Sequence, residues 1–183
     1  MTIPLSRFII AMVFLYQDNY ATILLQDKEY YSVDEDDLGE EFGSVITYTT
    51  IVSLPLVFLG GFVYDKMGRR YPMIVTIFII SVTVSLFPYG GSVYPGFFLI
   101  FVVNDIALEI FATSPILADY VEKSTKGIAG TYLQLGIGIG ALVFSFGLLE
   151  IAEEVDLAYV SYATGIVCFC VFIYQVIFVK DVF

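Results

Sequence analysis

A helix needs about 20 mostly apolar residues to cross the hydrocarbon core of a bilayer. A window of that length finds six such stretches in this chain, separated by polar or turn-rich segments. They run from about Phe8 to Leu25, Ser44 to Tyr64, Pro72 to Phe87, Phe97 to Leu117, Gly130 to Leu149 and Leu157 to Val179. No soluble domain fits in what remains. The first stretch holds Asp18 and Asn19 in its middle and has no small-residue cleavage site before the acidic segment that follows, so it predicts a retained helix rather than a cleaved signal peptide. The pattern as a whole predicts an all-α, polytopic membrane protein with six transmembrane helices.

Composition points the same way. The chain of 183 residues is 58% hydrophobic and only 15% charged, where an ordinary globular domain carries about a quarter charged residues. Its net charge of −11 argues against nucleic acid as a partner, since phosphate binding needs a basic face. With no histidine and no tryptophan, the chain lacks a Ser-His-Asp triad and any histidine-based metal site. Cys168 and Cys170 lie in one apolar run, two residues apart, and make neither a disulfide framework nor a metal site. No cofactor is implied and no enzyme is expected.

The connecting segments predict orientation, because Lys and Arg beside membrane spans stay in the cytoplasm. Six spans place Arg7, Lys66, Arg69, Arg70, Lys123, Lys126 and Lys180 on one face with both termini, and leave Lys28 opposite. The acids do the reverse: the Gln26 to Gly43 connection carries Asp27, Glu29, Asp34, Glu35, Asp36, Asp37, Glu40 and Glu41, and the Glu150 to Asp156 turn adds more. That connection reads either as a solvated linker kept out of lipid by its charge or as a cation funnel at the outer mouth. Tyr30, Tyr31, Tyr89, Tyr94 and Tyr159 fall toward the outer boundary, and Tyr64, Tyr71 and Tyr120 toward the inner one, as an interfacial belt.

Three carboxylates remain inside the spans: Asp18, Asp105 and Glu109. Each costs about 2.5 to 3.5 kcal/mol at a helix centre, and no base lies inside a span to pair with it. They must be protonated, wet, bound to a cation or paired with another polypeptide. Asp105 and Glu109 are four apart and share a helix face, with Asn104 adjacent; Asn19 stands beside Asp18. Proton coupling and direct ligation of a cationic solute group both stay open. Gly136 and Gly140 form a G-x-x-x-G face for close helix packing, while Pro55 and Pro115 permit kinks, and Gln134 and Gln175 are further polar positions.

Between the second and third spans the chain reads Gly61, Phe62, Val63, Tyr64, Asp65, Lys66, Met67, Gly68, Arg69, Arg70. Gly68 suits the positive φ of a tight turn, Gly61 would allow a neighbouring helix to come close, and Asp65 and Arg69 are spaced to pair. This segment resembles the signature loop of the major facilitator superfamily, G-x-L-A-D-R-x-G-R-R, with Val63 and Tyr64 replacing the Leu and Ala. The resemblance spans nearly all 183 residues and implies the amino-terminal half of a twelve-helix transporter, here residues 1–183, built of two inverted three-helix repeats at about 8–89 and 95–179. It implies that the first and fourth helices line the central cavity, where Asp18, Asn19, Asn104, Asp105 and Glu109 fall. It also implies a cytoplasmic conformational latch of Asp65, Arg69 and Asp119, with Gly61, Lys66, Gly68 and Arg70 in the same motif.

The function so implied is secondary-active or facilitative transport of a small solute by alternating access. The family's antiporters usually carry a Gly-Pro pair in the fifth helix, which is absent between Gly130 and Leu149, so symport or facilitated diffusion is expected. The partners implied are a small or cationic solute, protons, membrane lipids, and a second six-helix half or partner subunit. The chain is expected to be a fragment, half of a split transporter or a self-pairing protein. A non-transporting structural subunit of a membrane complex is the alternative.

Overall fold

A computed structural model of the chain describes residues 2–68, 70–112, 121–148, 150 and 155–179. Among these, six helices are long and apolar enough to cross a membrane: α1 (Leu5–Gln26), α2 (Glu35–Met67), α3 (Arg70–Tyr89), α4 (Val93–Ala112), α5 (Lys123–Gly147) and α6 (Leu157–Phe178). No strand occurs among the described residues. Helices are the expected answer in lipid, which cannot satisfy free backbone N–H and C=O groups. α1 packs along α5 and α2 along α4, while α3 packs against both α6 and α4; α1 also touches α6 and α4.

The seam between α1, α3 and α4 is aromatic. Tyr16 stacks on Tyr20 with ring centroids 4.6 Å apart and meets the edge of Phe87 at 5.6 Å. Phe87 continues to Phe97 at 5.3 Å, and Phe97 to Phe101 at 5.7 Å. All five are buried, and such ring pairs add about 0.5–1.5 kcal/mol each beyond area burial. The buried hydroxyls are satisfied across helices. Tyr16 Oη and Ser161 Oγ of α6 lie 2.8 Å apart, and Tyr20 donates to the Leu157 carbonyl.

Small residues set the close crossings, as they do where lipid supplies no hydrophobic drive between helices. A Cβ on Gly140 of α5 would strike the Phe8 backbone of α1, and one on Gly165 of α6 would strike Ser85 and the Ser81 carbonyl of α3. Ser81 Oγ also donates to the Gly165 carbonyl at 3.2 Å. Gly61, by contrast, has nothing among the described residues within 4 Å of a built Cβ, so no described helix makes the close contact expected there. Gly68 does take the turn conformation, capping α2 at φ 78°.

The two ends of the bundle carry different chemistry. At one, Arg70 Nη2 donates to the Val176 carbonyl at 2.9 Å, placing its charge on the last turn of α6 where a helix favours cations. Gln175 Nε2 reaches Ser6 Oγ at 3.5 Å, so Gln175 is an interhelical contact rather than an open polar position. Tyr64 is buried and donates to the Ile110 carbonyl at 3.1 Å; it ties α2 to α4 and is no belt residue. At the other end the α1–α2 connection is strapped down: Tyr31 donates to the Phe87 carbonyl and Tyr30 to Asp156, while Asp156 caps α6 through Ala158 N–H at 2.9 Å.

The α1–α2 connection is also shorter than its sequence suggests. α2 has 33 residues, about 50 Å at 1.5 Å per residue, so half of the expected acidic loop is helix. Two causes are visible. Glu35, Asp36 and Asp37 occupy the first turn, where negative charge complements the helix dipole. Leu38, Phe42 and Val45 then recur on one face and pack on the core, with Phe42 6.1 Å from Phe101 of α4.

Two outcomes are expected. Gly140→Val and Gly165→Val should each lower the melting temperature in mild detergent, with overpacking costs of about 1–3 kcal/mol, whereas Gly61→Ala should be neutral or slightly stabilising. The hydrogen bonds from Tyr30 and from Ala158 N–H hold the Asp156 carboxyl below the usual carboxylate range. Its contribution to stability is therefore present above the ordinary aspartate value of about 3.9 and lost as pH falls through the depressed one. Thermal melts over a pH series should show Asp156→Asn less stable at neutral pH and less acid-sensitive than the parent.

Candidate functional site

Near its middle, α1 departs from α-helical winding. Residues Tyr16–Tyr20 form a π-helical turn, a local widening often found at functional positions. One side of this turn is anchored in the core by Tyr16 and Tyr20. The other side is open: Asp18 and Asn19 are exposed, and they continue with Thr22 and Gln26 as a polar stripe toward the end of the helix. Asn19 Nδ2 donates to the Leu15 carbonyl at 3.1 Å and Thr22 Oγ1 to the Asn19 carbonyl at 2.6 Å. Among the described residues, no hydrogen bond or ion pair involves the Asp18 carboxylate. Its neighbour Gln17 is 2% exposed, with an unpartnered Nε2.

On α4, Asp105 and Glu109 are both half-buried. Ser53 of α2 lies beside Asp105, and Glu109 lies close enough for the two carboxylates to repel. Asn104 turns away from them. It is fully buried, with Thr83 Oγ1 of α3 2.6 Å from its Oδ1, because consecutive residues on a helix point about 100° apart. The structure thus sets Asp105 near Glu109, and Asp18 and Asn19 together on the open side of α1, while no hydrogen bond or charge interaction among the described residues joins the two groups. None of the three acids meets a Lys or Arg among the described residues; the bases within the spans sit near helix ends.

The loop motif is partly visible. Asp65 and Lys66 are exposed in the last turn of α2, with Lys66 Nζ 5.7 Å above the Phe62 ring. Arg69 and Asp119, the other two members of the expected cluster, lie outside the described residues, as does Pro115. The sequence reading missed Thr49 and Ser53. They are spaced i, i+4 in an apolar run and are both buried, which was a readable signal.

A model of the Major Facilitator Superfamily matches residues 6–182, almost the whole chain. The chain belongs to this superfamily. It is also similar to a protein of Bacillus subtilis (strain 168) described as an uncharacterized MFS-type transporter, YqjV, at 28% identity over 102 residues. That match covers 55% of this chain and 25% of the relative, so the aligned part spans about a quarter of the relative's length. No solved structure matches. As a member of the superfamily, with six apolar helices, the protein is an integral, multi-pass membrane protein of a transporter family.

Because Asp18 and Glu109 have no ion-pair partner among the described residues, Asp18→Asn and Glu109→Gln should hold or raise thermal stability in detergent. Each neutral amide avoids part of the roughly 2.5–3.5 kcal/mol that a carboxylate costs in an apolar span. Melting curves of the two variants beside the parent check this sign.

Proposed function

We propose that this superfamily member forms one six-helix half of a transporter that moves a small neutral or cationic solute by alternating access, with proton coupling through Asp18 and Glu109. The observation that carries this reading is the polar, uncovered face of α1 at its π-helical turn. A scaffold gains nothing from keeping an unpaired carboxylate at mid-helix, whereas a carrier needs one that faces a wet path and can exchange its charge.

Two features support the half-transporter. The packing pairs are preserved when the first three spans are exchanged for the last three: α1 on α5 becomes α4 on α2, and α1 on α6 becomes α4 on α3, as two three-helix repeats at about 8–89 and 95–179 would give. α2 and α5 are also the least covered spans, with 24% and 17% of their apolar windows buried against 61% for α1. Those faces are where a second six-helix half would sit. The basic ends, including Arg7, Arg70, Lys123 and Lys126, support a cytoplasmic placement of both termini. There Asp65, Arg69 and Asp119 would act as the latch, with Gly68 making the turn.

The test is uptake by the transporter in energised vesicles, across a panel of solutes and with an imposed proton gradient. Asp18→Asn and Glu109→Gln should each cut gradient-driven uptake at least tenfold, while counterflow of the same solute persists. Undiminished, still pH-dependent uptake in both variants overturns the coupling role.

A further inference from the structure

The π-helical turn of α1 is tied from two sides by different means. Across Tyr16–Tyr20 the Ala21 N–H reaches back five residues, to the Tyr16 carbonyl, so the turn takes one residue more than an α-helical turn. Continuous α winding would rotate the helix beyond it by about 100° around its axis. On the core side the turn is pinned near both ends. Tyr16 Oη lies 2.8 Å from Ser161 Oγ, and Tyr20 donates to the Leu157 carbonyl. Between those pins Gln17 is left 2% exposed with an unpartnered Nε2, so the wide winding does not serve the polar groups of the core. What it secures lies on the opposite side, where Asp18 and Asn19 stand exposed in succession.

On that side no other helix bonds to Asp18, Asn19 or Thr22 among the described residues, and the segment supplies its own ties. Asn19 Nδ2 donates to the Leu15 carbonyl, four residues back, at 3.1 Å. Only the nitrogen end of an amide can donate to a carbonyl, so this bond also fixes which way the Asn19 side chain is turned. Thr22 Oγ1 donates to the Asn19 carbonyl at 2.6 Å. Asp18 stands between Leu15 and Asn19, within the stretch that the first bond closes. An amide nitrogen bonded to its own backbone is not available to a solute.

We propose that Asn19 is a positioning residue and not a solute ligand: its amide ties the outward side of the π-helical turn and so fixes where the Asp18 carboxylate stands, with Thr22 as the second tie. This inference rests on the transporter reading and separates the tasks of two neighbours that the sequence set side by side. Asp18 faces the path, and Asn19 holds the backbone that presents it. The tyrosine pins keep the flanks of the turn in the core without Asn19, whereas the outward peptide groups have only the Asn19 and Thr22 side chains to hold them.

Hydrogen exchange of the full chain in detergent reads the turn without any solute, so failure here and failure of the transporter reading are separable. Asn19→Ala removes the donor and should speed exchange of the amides in residues 16–22 at least tenfold, while peptides from α4 keep the parent rate. Asn19→Ser retains a hydroxyl that can bond the carbonyl four residues back and should bring exchange to within twofold of the parent. Thr22→Val should raise it at least threefold. In energised vesicles that take up a solute, Asn19→Ala should slow gradient-driven uptake at least fivefold at an unchanged half-saturating concentration, and Asn19→Ser should restore the rate. Exchange indifferent to Asn19→Ala, or faster exchange that Asn19→Ser leaves uncorrected, overturns the assignment. So does faster exchange with undiminished uptake, which marks a purely structural tie, and so does a half-saturating concentration that rises in both variants, which marks a solute ligand.

Discussion

The structure depends on one constraint: inside lipid, every polar group must find its partner within the protein. Backbone groups meet it by forming six helices. Side-chain hydroxyls meet it across helices, as Tyr16 does with Ser161 and Tyr20 with the Leu157 carbonyl. Arg70 meets it on the last turn of α6. Against this background the exceptions carry information. Asp18 on the open side of α1, the buried hydroxyl of Thr49 on α2 and the Nδ2 end of the Asn104 amide on α4 are polar groups that the described helices leave unserved.

Packing decides which helices have room for function. α1 is held from several sides: rings at Tyr16 and Tyr20, the Gly140 crossing with α5, and hydroxyl bonds to α6. That grip lets its mid-helix turn widen without loosening the bundle. α4 is held through Phe97, Phe101 and Asn104, while Asp105 and Glu109 stay half-buried beside α2. α2 and α5 carry broad apolar surface that α1, α3, α4 and α6 do not cover. Membership in the Major Facilitator Superfamily gives these features a common setting, a bundle of apolar helices with a few polar groups left on its less covered faces.

Much of this was legible in the sequence. The six spans fall close to their expected places because a 20-residue apolar window is a strong local signal. The loop from Gly61 to Arg70 was informative because glycine and charge at fixed spacing mark a turn, and Gly68 has the positive φ such a turn needs. The illegible parts depended on contacts. Glu35 to Gly43 read as loop on charge alone, yet Phe42 finds Phe101 of α4, Leu38 packs on the core, and the segment winds into α2. Tyr64 read as an interfacial residue, but it is buried with its hydroxyl on the Ile110 carbonyl. Gly61 read as a packing site, but no described helix comes within reach of it.

The amino-acid sequence by itself determined the solvent, the number of crossings, the charge asymmetry of the connections and the presence of three carboxylates within apolar runs. Those properties are local or additive, so they survive without knowledge of any neighbour. Only the tertiary structure decided which side of each helix is covered. It turned Asn104 inward to Thr83 and set Asp105 beside Ser53. It left Asp18 and Asn19 on the free face of a π-helical turn. The reason is angular: adjacent residues on a helix point about 100° apart, and which of them meets protein depends on where another helix, distant in sequence, comes to rest.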